Sequence, residues 1–212
     1  MEVYGQKPKR FTKEWWEYFW DYYKLHTIAG VFLLFILVIS ISECAHKIDY
    51  DLQVDYISEH QISDRSVTAL TELIEKNIDD INENGKNQAY VTVLDMGEDA
   101  DPQYTQAIYT KYSVEAGYTE SFVFLVSKKY ADILSEEDIF EKSENWTSAP
   151  SYNGYCISLD NCAVLKEIGI DTSDLYLGII RLRDREKEAE REKKLPYQRN
   201  GIKFAKFLID KR

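Results

Sequence analysis

The run SFVFLVS at residues 121–127 places five apolar side chains in succession between two serines. A strand with one wet face alternates apolar and polar residues. A strand apolar on both sides belongs in the middle of a sheet covered on both faces, the arrangement of α/β proteins. Its neighbours in sequence support that reading. Tyr50–Ser58 (YDLQVDYIS) alternates Leu52, Val54 and Tyr56 with polar residues and is expected to be a strand; Gln88–Met96 (QAYVTVLDM) is expected to be a second. Between them Val67, Leu70, Leu73, Ile74 and Ile78 fall at helical spacing within Ser63–Asp80, with Ser63 or Asp64 placed to cap the helix. NENGKN at 82–87 then reads as a turn. Asp101–Ala116 has the pattern of a helix with Pro102 in its first turn and Gly117 as its stop.

Downstream, the pattern predicts a helix over Lys129–Lys142, a loop over 143–155 containing Pro150 and Gly154, and strands at Tyr155–Leu159 and Leu175–Leu182. A closing amphipathic helix over Arg199–Asp210 carries Ile202, Phe204, Ala205, Phe207, Leu208 and Ile209. The mixed-charge run RDREKEAEREKK at 183–194 reads as a solvated helix end or loop. Strands and helices thus alternate, which predicts an α/β domain over residues 48–212 built on a mixed, at least partly parallel sheet.

A second apolar run is of another kind. Thr27–Ser42 reads TIAGVFLLFILVISIS, without a charge. Extended to Leu25–Ala45 it has 21 positions, about 31 Å at ~1.5 Å per residue, which matches a bilayer core. Lys7, Lys9, Arg10, Lys13 and Lys24 precede it. Lys47 comes after it, and then Asp49, Asp51 and Asp55. The positive-inside bias predicts a cytoplasmic segment at 1–24, a single-pass transmembrane helix at 25–45 and a translocated domain at 48–212. A cleaved signal peptide is the rival reading, and Cys44 as a lipid acceptor is another. The long aromatic stretch ahead of the run, and Glu43 where a small residue would precede an acylated Cys44, favour an uncleaved signal-anchor in the cell membrane. Within FTKEWWEYFWDYYKLH, Trp15, Trp16, Trp20, Tyr22 and Tyr23 are the candidate membrane-anchoring residues. Their rings suit the headgroup layer, and an interfacial helix leading into the span is expected.

Charge divides the outer part. Residues 48–180 carry eight Lys/Arg and 26 Asp/Glu, a net of −18, while 181–212 carry twelve and six, a net of +6. An acidic domain of this size repels phosphate backbones, so nucleic acid is not an expected partner. The basic C-terminal part 181–212 is expected to fold back on the acidic domain, with contact to anionic lipid or polymer as the alternative.

The remaining candidates for chemistry are sparse. Asp80, Asn82 and Asn84, with Gly85 sixth, imitate the opening of a calcium loop, but Val91 stands where the closing acid belongs; a turn of Asn and Gly accounts for the same residues. Glu98, Asp99 and Asp101 come after a strand end, where α/β folds place ligands, yet acids there also suit a helix start. Asn145-Trp146-Thr147 has the form of a glycosylation acceptor. Cys156 and Cys162 are either bridged across a tight turn or two buried thiols. No catalytic motif and no cofactor motif is present.

The succession LQVDYIS, QAYVTVLDM, PQYTQAIYTKYSVEAGYTESFVFLVS and KYADILSEEDIF over 50–141 resembles the first lobe of bacterial extracytoplasmic solute-binding proteins of the second periplasmic class. The ending DLYLGIIRL, a charged run and GIKFAKFLID, with DYYKLHTI before the span, is similar to small membrane-anchored proteins of Firmicutes-type bacteria. The resemblance implies one lobe where solute-binding proteins have two, with a ligand held between them. It identifies no ligand-contacting residue. The expected role is that of a membrane-anchored extracytoplasmic domain that binds a protein partner or a small solute, without evident catalysis. The alternative is a structural or assembly protein acting through its aromatic N-terminal helix.

Overall fold

A computed structural model describes residues 11–45, 48–97, 101, 103–104, 106–107, 110, 121–182 and 188–212. It divides into two units, Met1–Ile48 and Asp49–Arg212.

The first unit is one helix, α1 (Lys13–Ala45), of 33 residues, about 50 Å long at ~1.5 Å per residue. It is long and apolar enough to cross a membrane. Leu34 is 65% exposed and Phe35 61%. The aromatic stretch is helical and leads directly into the apolar run. Lys13–Lys24 and Leu25–Ala45 share one uninterrupted helix, because no Gly, Pro or capping side chain separates them.

The second unit is an α/β domain around a five-stranded mixed sheet of order β2-β1-β3-β5-β4. Its strands are β1 (Leu52–Ser58), β2 (Ala89–Asp95), β3 (Ser121–Ser127), β4 (Ile157–Ser158) and β5 (Leu175–Ile179). β1 pairs parallel with β2 and with β3. β5 returns antiparallel to β3 (Val123 opposite Ile179), and β4 pairs antiparallel with β5. SFVFLVS is the third strand of five, and all seven of its residues are buried, as an apolar run on both faces requires.

Helix α2 (Asp64–Glu75) joins β1 to β2. Ser63 caps it, its hydroxyl accepting from the Ser66 amide at 3.2 Å, and its inward face is Ser66, Leu70 and Ile74. Helix α3 (Lys128–Glu136) continues directly from β3. It stops six residues short of the expected Lys142. Asp138 takes a left-handed conformation (φ 54°), and the Ile139 amide reaches back to the Leu134 carbonyl, closing the helix in the manner usually served by glycine. Phe140 then forms a bridge with Ile180. A five-residue helix, α4 (Ala163–Glu167), was not expected. The strand expected at Tyr155–Leu159 shortens to β4, and the one at Leu175–Leu182 to β5. The closing helix α5 (Glu188–Ile209) begins eleven residues before the expected Arg199 and takes up much of the charged run. Residues 183–187, and most of the helix expected over 101–116, lie outside the described residues.

Two glycines show how closely the layers approach. A Cβ on Gly201 of α5 would meet Val123 Cγ2 at 3.0 Å, and one on Gly178 of β5 would meet the Phe140 ring at 2.8 Å. Val123 and Gly178 occupy adjacent positions on β3 and β5 and so face opposite sides. α5 therefore covers one face, through Phe204, Ala205 and Leu208, and Phe140 covers the other, its ring edge-on to Phe124 at 5.5 Å. The basic C-terminal part does fold back on the acidic domain. Lys203 pairs with Asp79 at 2.6 Å, Arg181 with Asp138, and Arg212 donates to the Ser158 carbonyl.

Candidate functional site

In a parallel sheet the loops at the carboxyl ends of the strands collect polar groups. The place where neighbouring strands connect in opposite directions leaves a crevice there. Here that place lies between β1 and β3, which end at Ser58 and Ser127. Because β5 runs antiparallel, its start lies at the same edge, with Leu175 opposite Ser127, so the loop 171–174 arrives there too.

On the α2 side this loop fills the edge. Gly169 lies against Ser66 of α2. The Asp171 carboxyl is held below its ordinary range by hydrogen bonds from Ser173, amide first and then hydroxyl, with His60 and Lys166 adding attraction. Tyr56 is buried, which pushes its hydroxyl upward; a bond to Ser58 opposes the shift and Asp171 reinforces it. The Ser58 hydroxyl also accepts from the His60 amide at 3.0 Å. Ser127 Oγ and Thr172 Oγ1 are buried without a hydrogen-bond partner among the described residues. Each is sealed from solvent, so this side is packed rather than open.

The α3 side of the same edge is accessible. Asn153 and Gly154 both take left-handed conformations (φ 53° and 83°), the pairing that a tight two-residue turn requires. The turn brings Tyr152 back to Cys156, the Tyr152 amide donating to the Cys156 carbonyl at 2.7 Å. That sets the Tyr152 ring 4.7 Å from the ring of Tyr176 on β5, tilted by 43°. The Tyr152 hydroxyl donates to Asp132 Oδ2 of α3 at 3.1 Å. Lys128, the first residue of α3, holds its Nζ 5.7 Å from the centre of the Tyr152 ring, and its amide lies 3.4 Å from Asp174 Oδ2. Both tyrosine hydroxyls are raised above their ordinary value. For Tyr152 loss of solvent leads, then the bond to Asp132; for Tyr176 loss of solvent leads, then Asp174, Asp132 and Asp160. These phenols stay protonated at neutral pH and serve as donors and ring faces, surrounded by carboxylates.

The residues singled out from sequence lie elsewhere. Asp80, Asn82 and Asn84 form the turn rather than an open ion cage, because their side-chain oxygens face amides. Asp80 accepts from Asn84 and Gly85 (2.7 Å for the latter), Asn82 from Asn84, and Asn84 from Lys86. Val91 is buried in β2. No group of three or more His, Cys, Asp or Glu among the described residues is placed to hold a metal. Glu98 and Asp99 lie outside the described residues, and Asp101 is exposed. Cys156 and Cys162 are free and buried, not bridged. Their sulfurs serve different helices: Cys156 Sγ lies 3.8 Å from Ser135 Oγ of α3, and Cys162 Sγ lies 3.6 Å from the Leu208 carbonyl of α5. Burial pushes the Cys156 thiol up to about 12.

In α1 the rings of Trp15, Phe19 and Tyr23 stack in series at 5.4 and 5.7 Å, while Trp16, Trp20, Tyr22 and Tyr23 are exposed. Asn145 is exposed and its amide bonds Glu141. The adjacent Trp146 lines an open groove of about 640 Å³ with Lys206 and Asp210. Its Nε1 is buried without a hydrogen-bond partner among the described residues.

Sequence reading did not single out Lys128, Asp132, Tyr152, Asp174 or Tyr176. They span 49 positions with no common motif, and the Asn153-Gly154 pair was the one local sign of a turn. Compared with known proteins, the chain matches no family model, no curated protein and no solved structure.

Proposed function

We propose that this protein is a single-pass membrane protein whose α/β domain is displayed outside the cytoplasm as a binding domain. The observation that carries the reading is α1: its apolar side chains are uncovered along a length that matches a bilayer. Bare apolar surface of that extent is stable in lipid and not in water. The excess of Lys and Arg ahead of the span supports a cytoplasmic N-terminus. The α/β domain supports binding rather than catalysis. At the β1/β3 edge the hydroxyls of Ser127 and Thr172 are sealed, while two rings and the carboxylates of Asp132 and Asp174 stay partly accessible. The likeness of 50–141 to one lobe of a solute-binding protein agrees with such a role.

The test is topology. With an epitope at each end, the full chain should stay in the membrane pellet at alkaline pH. External protease should remove the C-terminal epitope from intact cells and spare the N-terminal one. A chain released by carbonate, or a protected C-terminus, would end the proposal.

The stacked rings Trp15, Phe19 and Tyr23 favour a second reading, in which α1 assembles with another membrane protein. Deleting residues 1–20 separates the two. Loss of every cross-linked partner supports assembly through α1, and unchanged partners support the outer domain.

A further inference from the structure

We propose that the Tyr152–Tyr176 pair is a docking surface for an arginine- or lysine-bearing segment of a partner protein, with Lys128 as its resident cation. This deepens the proposed binding role and rests on it. Three independent features converge. The two rings lie 4.7 Å apart on the accessible side of the edge and are both partly exposed. Ring faces carry negative potential and attract cations within about 6 Å. Asp132 and Asp174 act on both rings and Asp160 on Tyr176, pushing the tyrosine hydroxyls up alongside their loss of solvent. That potential repels a phosphate or carboxylate and favours a cation. Finally, the chain already places an ammonium there: Lys128 Nζ sits 5.7 Å from the Tyr152 ring. A flexible lysine on the first turn of α3 can swing away and yield its place to a planar guanidinium, which stacks on rings and bonds carboxylates at once. The domain's net charge of −18 over 48–180 steers a basic segment toward it.

The arrangement predicts an unusual sign. Removing a lysine from a protein surface removes a polar contact, yet here it removes a competitor. The experiment is fluorescence anisotropy of a labelled hexa-arginine peptide, titrated with the full chain in nonionic detergent, beside a neutral peptide of equal length. Tyr176→Leu and Tyr152→Leu, which change no charge, should each weaken binding about two- to fivefold, the size of one exposed cation–ring contact. Tyr152→Phe keeps the ring and should retain most of the affinity, which separates ring loss from misfolding. Lys128→Ala should strengthen binding more than Lys86→Ala, a control with the same charge change in the exposed 82–87 turn. Equal binding of the neutral peptide would overturn the proposal. So would unchanged affinity in both leucine variants, which would leave bulk charge as the cause, or a Lys128→Ala effect no larger than that of Lys86→Ala. Because binding is read on detergent-solubilised chain, its failure leaves the membrane topology standing, and failure of the topology leaves this result standing.

Discussion

Two stretches of this chain are nearly alike in composition and opposite in circumstance. SFVFLVS at 121–127 and VFLLFILVIS at 31–40 draw on the same side chains, Val, Phe and Leu, with Ile added in the second. In β3 Phe124 is fully buried. In α1 Leu34 and Phe35 are about two-thirds exposed. The difference lies in what surrounds each run. β3 is seven residues long and is flanked by β1 and β5, with α5 and Phe140 above and below, so the chain itself removes it from water. α1 is 33 residues long, enough to cross a membrane by length and composition, and its apolar side chains are exposed. Apolar character alone therefore does not say where a segment goes; length and the partners that the rest of the sequence supplies do.

The largest expected effect strikes the covered run. Phe124→Ala removes a ring that packs against Phe140 at 5.5 Å in a site with no solvent access. It should cost about 3–5 kcal/mol, read as a fall of about 10 °C or more in the unfolding temperature of the detergent-solubilised chain. The same variant should leave the membrane pellet untouched. Next comes the uncovered run. Leu34→Arg puts a charge mid-span and should make insertion less favourable by about 3 kcal/mol, read as loss of carbonate-resistant protein, with the unfolding temperature unchanged. If either variant moved both measurements, the two runs would not be independent and the comparison would fail.

Legibility in the sequence divides along the same line. The central place of β3, the strand β1, the Ser63 cap and the alternation of strands and helices were legible, because each rests on periodicity or on a short capping pattern. The direction of β5 was not. An antiparallel strand has the same alternation as a parallel one, and only its pairing with β3 reveals the reversal. That reversal matters, because it carries the loop 171–174 to the carboxyl edge of the parallel strands and fills half of it. The early end of α3 was hidden because an aspartate, not a glycine, takes the left-handed position at 138. The first half of α5 was hidden because EAEREKK has no apolar stripe to reveal a helix. The tyrosine pair was hidden for a plainer reason: Tyr152 and Tyr176 meet through a turn and a strand, and nothing in either segment points to the other. DINENGK was legible as a turn, with a calcium loop as the rival reading. Its oxygens are spaced like ligands because a turn of Asp and Asn binds its own amides in much the same way that a cation loop binds an ion.

The smallest of the expected effects concerns what holds that turn in place. Asp51, just before β1, is fully buried yet charged in type. One carboxylate oxygen accepts from the amides of Ile81 and Asn82, at 2.7 and 3.2 Å, and the other accepts from the amide of Gln88 at 2.8 Å. Asn200 of α5 joins the same junction, donating to the carbonyls of Asp51 and Asp79 and accepting from the Asp79 amide. A carboxylate suits this place because it has only acceptors to offer and three donors converge on it. Asp51→Asn keeps the shape but replaces one oxygen with an amino group that faces a donor instead of accepting from it. The cost should be about 1–3 kcal/mol, that of stranding one buried donor, seen as a modest fall in unfolding temperature. Amide exchange at Ile81, Asn82 and Gln88 should quicken more than exchange in β3. That outcome would place the weak point of the domain at its polar seam and leave the apolar centre intact. A uniform rise in exchange across β3 and the turn alike would instead mean that seam and centre unfold as one unit.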